Sequence, residues 1–167
     1  MTVVVVMGVS GSGKTTIAED LARRLDVPFA EADEFHPLAN IEKMESGHPL
    51  SDDDRWPWLR GIATWIGEHA DSGGVLTCSA LKRRYRDLLT TAADRVFFLH
   101  LHGSREVISE RIGARRGHFM PPSLLDSQFA DLEPLQADEP GAVVDITADS
   151  DLILTRCVAA LRAWETG

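Results

Sequence analysis

The apolar, β-branched run Val3–Val6 passes through Met7 into Gly8-Val9-Ser10-Gly11-Ser12-Gly13-Lys14-Thr15. No other stretch constrains the fold as tightly. The spacing is G-x-x-x-x-G-K-[ST], set between a predicted strand and a predicted helix over Thr15–Leu25, the context that gives the pattern physical meaning. Glycines allow backbone conformations closed to other residues, so successive N–H groups can face one anion. The helix that follows adds the positive end of its dipole. Lys14 is then expected to reach the β- and γ-phosphates of a nucleotide, and the Thr15 hydroxyl to ligate Mg²⁺. The expected phosphate-binding set is Gly8, Val9, Ser10, Gly11, Ser12, Gly13, Lys14, Thr15 and Thr16.

Further apolar runs fall at Pro28–Ala32, Gly74–Ser79, Val96–His102 and Ala142–Thr147, separated by stretches of helical period. This alternation predicts an α/β protein with three layers, helices covering both faces of a five-stranded parallel sheet. Trp58, Leu59, Ile62, Trp65 and Ile66 make one helical stripe, and Asp151–Trp164 repeats the pattern after a cap expected at Ser150. At 167 residues the chain reads as one domain. Its least regular part, Arg115–Pro140, holds four of the eight prolines, and a lid is expected over about residues 112–138. A net charge of −9 argues against nucleic-acid binding, since a phosphate backbone wants a basic face. Cys78 and Cys157 read as buried thiols. No basic leader and no apolar run near the roughly 18 residues of a membrane span are present, so the expectation is a soluble, cytoplasmic protein.

A phosphate loop names a nucleotide and leaves the reaction open. Guanine-specific switches carry N-K-x-D, whereas the one asparagine, Asn40, is followed by Ile41-Glu42-Lys43. Asp71-Ser72-Gly73-Gly74 precedes a strand and reads as a turn. In open α/β sheets ligands gather at the carboxyl ends of strands. Those ends carry Asp33 to His36, Ser79 to Lys82, and Arg105 and Arg111. Asp33 is either a general base for an attacking hydroxyl or a helix cap. Arg55, beside the helix start Ser51-Asp52-Asp53-Asp54, either pairs with Asp52 or Asp54 or grips a substrate carboxylate. Lys82 and Arg86, four apart, form either a solvated face or an anion site. Arg111 and Arg115 share that spacing and lead into Arg116-Gly117-His118-Phe119, as a cationic lid over phosphates would.

Taken together, "GVSGSGKTT", "HPLANIEKMESGHPLSDDDRWPWL", "CSALKRRYRDLL", "RRGHFMPPSLLDSQFADLE" and "DEPGAVVDI" resemble the gluconokinases, P-loop kinases related to shikimate kinase and the nucleoside monophosphate kinases. The resemblance covers nearly the whole chain. It implies a P-loop kinase fold with a helical lid and ATP-dependent phosphorylation of D-gluconate at its 6-hydroxyl, with Mg²⁺, in a cytoplasmic homodimer. It further implies Lys14, Asp33 and Arg115 as catalytic groups and Arg111 on the nucleotide. Asp33, His36, Arg55, Ser79, Lys82, Arg86 and His118 are implied around the acceptor. In the strand order of such kinases, the second strand is expected beside the first, with Asp33 facing the phosphate loop. Two departures stand out. Strand three ends in Ser79 where a Walker-B aspartate is common, and Glu31 replaces the second aspartate of shikimate kinases. A kinase for another small acceptor and a nucleotide-dependent switch are the other readings.

Overall fold

The computed structural model describes residues 1–114 and 122–167, so the expected lid residues Arg115 and His118 lie outside the described residues. Five parallel strands, β1 (Val3–Met7), β2 (Phe29–Glu31), β3 (Gly74–Thr77), β4 (Val96–His102) and β5 (Gly141–Asp145), form one sheet. The helices are α1 (Lys14–Leu25), α2 (Leu38–Glu45), α3 (Asp52–Glu68), α4 (Arg83–Thr90), α5 (Arg105–Ala114), α6 (Pro122–Asp131) and α7 (Ser150–Thr166). A 3-10 turn, Ala32–Phe35, follows β2.

β1 is the central strand and all five of its side chains are fully buried. Because successive side chains point to opposite faces, Val4 and Val6 pack with Ile17 and Leu21 of α1 and Ile153, Cys157 and Leu161 of α7. Val3, Val5 and Met7 pack instead with Leu59, Ile62 and Ile66 of α3 and Tyr85 and Leu89 of α4. A strand buried on both faces reads as a continuous apolar run, which is why "VVVVM" lacks alternation. Each of the fully buried α3 residues contributes about 1.5–3 kcal/mol of hydrophobic stabilisation. Both cysteines are buried and unbridged, as expected.

The strand order is β2-β3-β1-β4-β5. It corrects the expectation that β2 adjoins β1: β3 lies between them, with Val5 opposite Leu76 and Ala30 opposite Leu76 in turn. The end of α7 needs a second correction. Asp149, in an extended conformation, is its cap and accepts from the Leu152 N–H, while Ser150 is already helical. The expected turn at Asp71–Gly74 is present, with Gly73 at φ +80°.

Candidate active site

The loop leaving β1 folds tightly over the sheet's carboxyl end. Gly8 has φ +149°, and a Cβ there would lie 2.8 Å from the Leu101 carbonyl oxygen. Gly11 has φ +82°, and a Cβ would lie 2.6 Å from Ile112 Cγ1 of α5. Only glycine meets both demands, an unusual backbone angle and a close approach. Lys14 Nζ curls back to donate to the carbonyls of Gly8 (2.9 Å) and Val9 (3.1 Å). The hydroxyls of Thr15 and Thr16 are on exposed residues of the first turn of α1. Ser12 Oγ is buried with no hydrogen-bond partner among the described residues. Arg111 lies at the exit of the loop, near Gly13, and donates to the carbonyls of Ile146 and Ala148 in the β5–α7 connection.

From this loop a line of interacting charges crosses the crevice. Cys78, just past β3, lies within electrostatic reach of both Lys14 and Asp33, and burial pushes its thiol up to about 12. Asp33 is exposed on the 3-10 turn. His36, at the end of that turn, is held below its ordinary imidazole value by burial; Asp33 opposes the shift and Arg55 adds to it. Arg55 Nη1 lies 3.6 Å from Asp52 and donates to the Tyr85 hydroxyl over 3.3 Å. Tyr85 donates in turn to Asp52 (2.5 Å), and this bond leads the effects that hold the Asp52 carboxyl below its usual range, to which Arg84 and Lys82 also contribute. Phosphate loop, carboxylate, imidazole, guanidinium and ammonium are thus linked by successive electrostatic contacts.

The segment His36–Arg55 makes structural sense of its own spacing. Asn40 and Lys43, three apart, stand on one side of α2, and His36 precedes the helix in an extended conformation. The buried Asn40 donates to the Asp54 carbonyl (2.8 Å) and lies 3.4 Å from His36 Nδ1. Lys43 pairs with Asp54 at 2.6 Å, holding that carboxyl down to about 2. Asp54 also closes a capping box with Ser51, so it is not the partner of Arg55. Trp58 stacks on His36 with centroids 4.3 Å apart and donates from Nε1 to the Ala32 carbonyl at 2.7 Å. Sequence reading placed Trp58 in an apolar stripe and left Asn40 and Lys43 without a role. The i, i+3 spacing of Asn40 and Lys43 in one helical stretch was the available signal.

Arg86 is a correction. Expected to line the acceptor pocket, it is fully buried, with Nε and Nη2 on Glu139 at 2.7 and 3.0 Å and Nη1 on the Ala80 carbonyl at 2.8 Å. Nor does it share a helical face with Lys82, which caps α4 in an extended conformation. The reason is local: Ala80 is held at φ +44°, a costly conformation for a residue with a Cβ, and Arg86 anchors its carbonyl. That corner leaves Ser79 and Lys82 partly exposed on either side.

A strand, phosphate loop and helix under a parallel sheet, with a carboxylate and cations across the crevice, define a P-loop phosphotransferase. Residues 3–135 match the family described as AAA domain. The chain is 47% identical to the gluconokinase of Gluconobacter oxydans (strain 621H), over 95% of this chain and 90% of that protein. The crystal structure of a gluconokinase from Sinorhizobium meliloti 1021 superposes with a TM-score of 0.91 at 44% identity, covering 99% of this chain and 94% of that one. Shikimate kinase from Aquifex aeolicus, 16% identical with a TM-score of 0.65 over 98% of each chain, shares the fold alone. The chain belongs to the gluconokinase family.

Proposed function

We propose that the enzyme transfers the γ-phosphoryl group of ATP to the 6-hydroxyl of D-gluconate, giving 6-phosphogluconate and ADP. One observation carries the reading beyond kinship: Asp33 is exposed between the phosphate loop and the His36 ring, with the cations Arg55 and Lys82 beyond it. A linear acid with a hydroxyl at one end and a carboxylate at the other suits that order. In this reading Lys14 exchanges its loop carbonyls for the β- and γ-phosphate oxygens, and Asp33 orients the attacking hydroxyl and takes its proton late. Arg55, steered by Tyr85 and Asp52, presents a planar fork to the carboxylate, with Lys82 and Ser79 nearby. Arg111 borders the nucleotide on the Gly13 side. Arg115 and His118 complete the reading as lid groups within a lid over about residues 112–138.

Mg²⁺ fits the chemistry of the loop's exit, where the Thr15 hydroxyl offers the hard oxygen donor that such an ion takes. When bound, it would offset negative charge on the transferred group. The homodimer and the cytoplasmic location belong to the same reading, on family resemblance. No helix among the described residues is long and apolar enough to cross a membrane. The test is coupled ADP release with Mg-ATP and, in turn, D-gluconate, shikimate and AMP. Gluconate is expected to give the highest kcat/KM. Faster turnover of either other acceptor assigns the crevice to a different kinase, and acceptor-independent hydrolysis alone assigns it to a switch.

A further inference from the structure

The phosphate loop is gripped from outside by two helices. Gly11 lies against Ile108 and Ile112 of α5. One residue earlier, the Ser10 N–H donates to Gln128 Oε1 of α6 over 2.7 Å, and Gln128 Nε2 donates back to Ser10 Oγ over 3.0 Å. An ion pair between Arg105 and Asp126 ties the two helices to each other, and Leu125, buried in the core, fixes the turn of α6 that carries Gln128. Gln128 is therefore a two-point clamp on the first half of the loop, reached from a helix 118 residues further along the chain.

The clamp matters because of what Lys14 must do. Its ammonium holds the carbonyls of Gly8 and Val9, and these contacts are given up when it turns to phosphate. The Gly8–Ser10 half then loses two restraints at the moment when the loop's amides must stay aligned. Gln128 bonds the same half through the Ser10 N–H and hydroxyl, and Lys14 takes part in neither bond. We infer that Gln128 is a positioning residue that keeps the phosphate loop in its anion-binding form while Lys14 moves onto the nucleotide. The inference rests on the reading of this loop as the ATP site. It touches neither acceptor nor the reacting atoms, so its effect falls on nucleotide affinity and leaves gluconate affinity alone.

The experiment measures binding of a non-hydrolysable ATP analogue and of D-gluconate by calorimetry in wild type, Gln128→Ala, Ser10→Ala and the double variant, with thermal melts alongside. Gln128→Ala is expected to weaken the analogue about tenfold, the equivalent of roughly one net hydrogen bond, with gluconate affinity within twofold. Ser10→Ala keeps the amide contact and should weaken it less, and adding it to Gln128→Ala should change nothing more, since both act through one contact. Gln128→Met, which preserves length and helix propensity, replaces the alanine variant if that one melts early. Unchanged analogue affinity, a parallel loss for gluconate, or additive effects of the two substitutions would each overturn the assignment. A wild type that fails to bind the analogue would instead overturn the ATP site itself.

Discussion

Asp33 occupies a position that sequence reading found and could not interpret, because a carboxylate after a strand caps a turn as readily as it orients a hydroxyl. In the structure it begins the acidic part of a 3-10 turn, exposed, with His36 as an electrostatic neighbour and with the Cys78 thiol in reach of both it and Lys14. Asparagine would keep its shape and lose its proton affinity. Asp33→Asn is expected to lower kcat by about 10²–10⁴-fold, the usual span of general-base assistance, while calorimetry records little change in ATP affinity. A folded variant within about threefold of wild type would make Asp33 a cap. Arg55 was similarly ambiguous from sequence, and the structure divides the alternatives: Asp52 lies 3.6 Å away, whereas Asp54 belongs to Lys43 and Ser51. The ambiguity was physical, since a helix start rich in carboxylates offers several partners within reach and only backbone geometry chooses among them.

At the scale of elements, the connection between α6 and β5 is strapped to the start of α4. Glu133 N–H donates to the Leu81 carbonyl (2.7 Å), the Arg83 N–H donates to Glu133, and Arg83 forks onto Asp138 at 2.7 and 2.8 Å. Arg86 with Glu139 is the buried part of that strap, and burial opposes the Glu139 charge while the hydrogen bonds from Arg86 and Gln136 keep its carboxyl below the usual range. Removing one partner leaves the other charged and desolvated. Arg86→Met is therefore expected to cost about 3–5 kcal/mol of stability, read by urea denaturation, and Arg86→Met with Glu139→Gln to recover part of it. If Arg86 were a substrate ligand, gluconate affinity would fall with stability intact. Arg86 was misread because strand-end cations look alike in sequence. Its partner lies 53 residues away, and only the fold brings them together.

For the molecule as a whole, His100 couples the middle of the sheet to pH. It is 3% exposed, Nδ1 has no partner among the described residues, and burial, reinforced by His102, Arg86 and Lys14, pushes its imidazole down to about 4. A ring neutral in the folded chain and protonated in the unfolded one stabilises the fold fully above about pH 6.5, and this stability is lost as the pH falls toward 4. The loss amounts to about 3 kcal/mol. Urea midpoints between pH 7 and 4.5 should fall more steeply for wild type than for His100→Leu, and parallel acid limbs would show that His100 does not titrate on unfolding. Much of this whole-molecule architecture was determined by the sequence itself: the phosphate loop, the bounds of β1 and β4, and the alternation that makes a parallel three-layer sheet. These follow from local rules of glycine freedom and hydrophobic period, both written within a few residues of one another. The tertiary structure alone decided that β3 separates β2 from β1, that Arg86 turns inward to Glu139 and the strained Ala80, and that Gln128 reaches Ser10. Each depends on which distant segments meet, and that choice is made by packing two faces of one sheet at once, which no local pattern encodes.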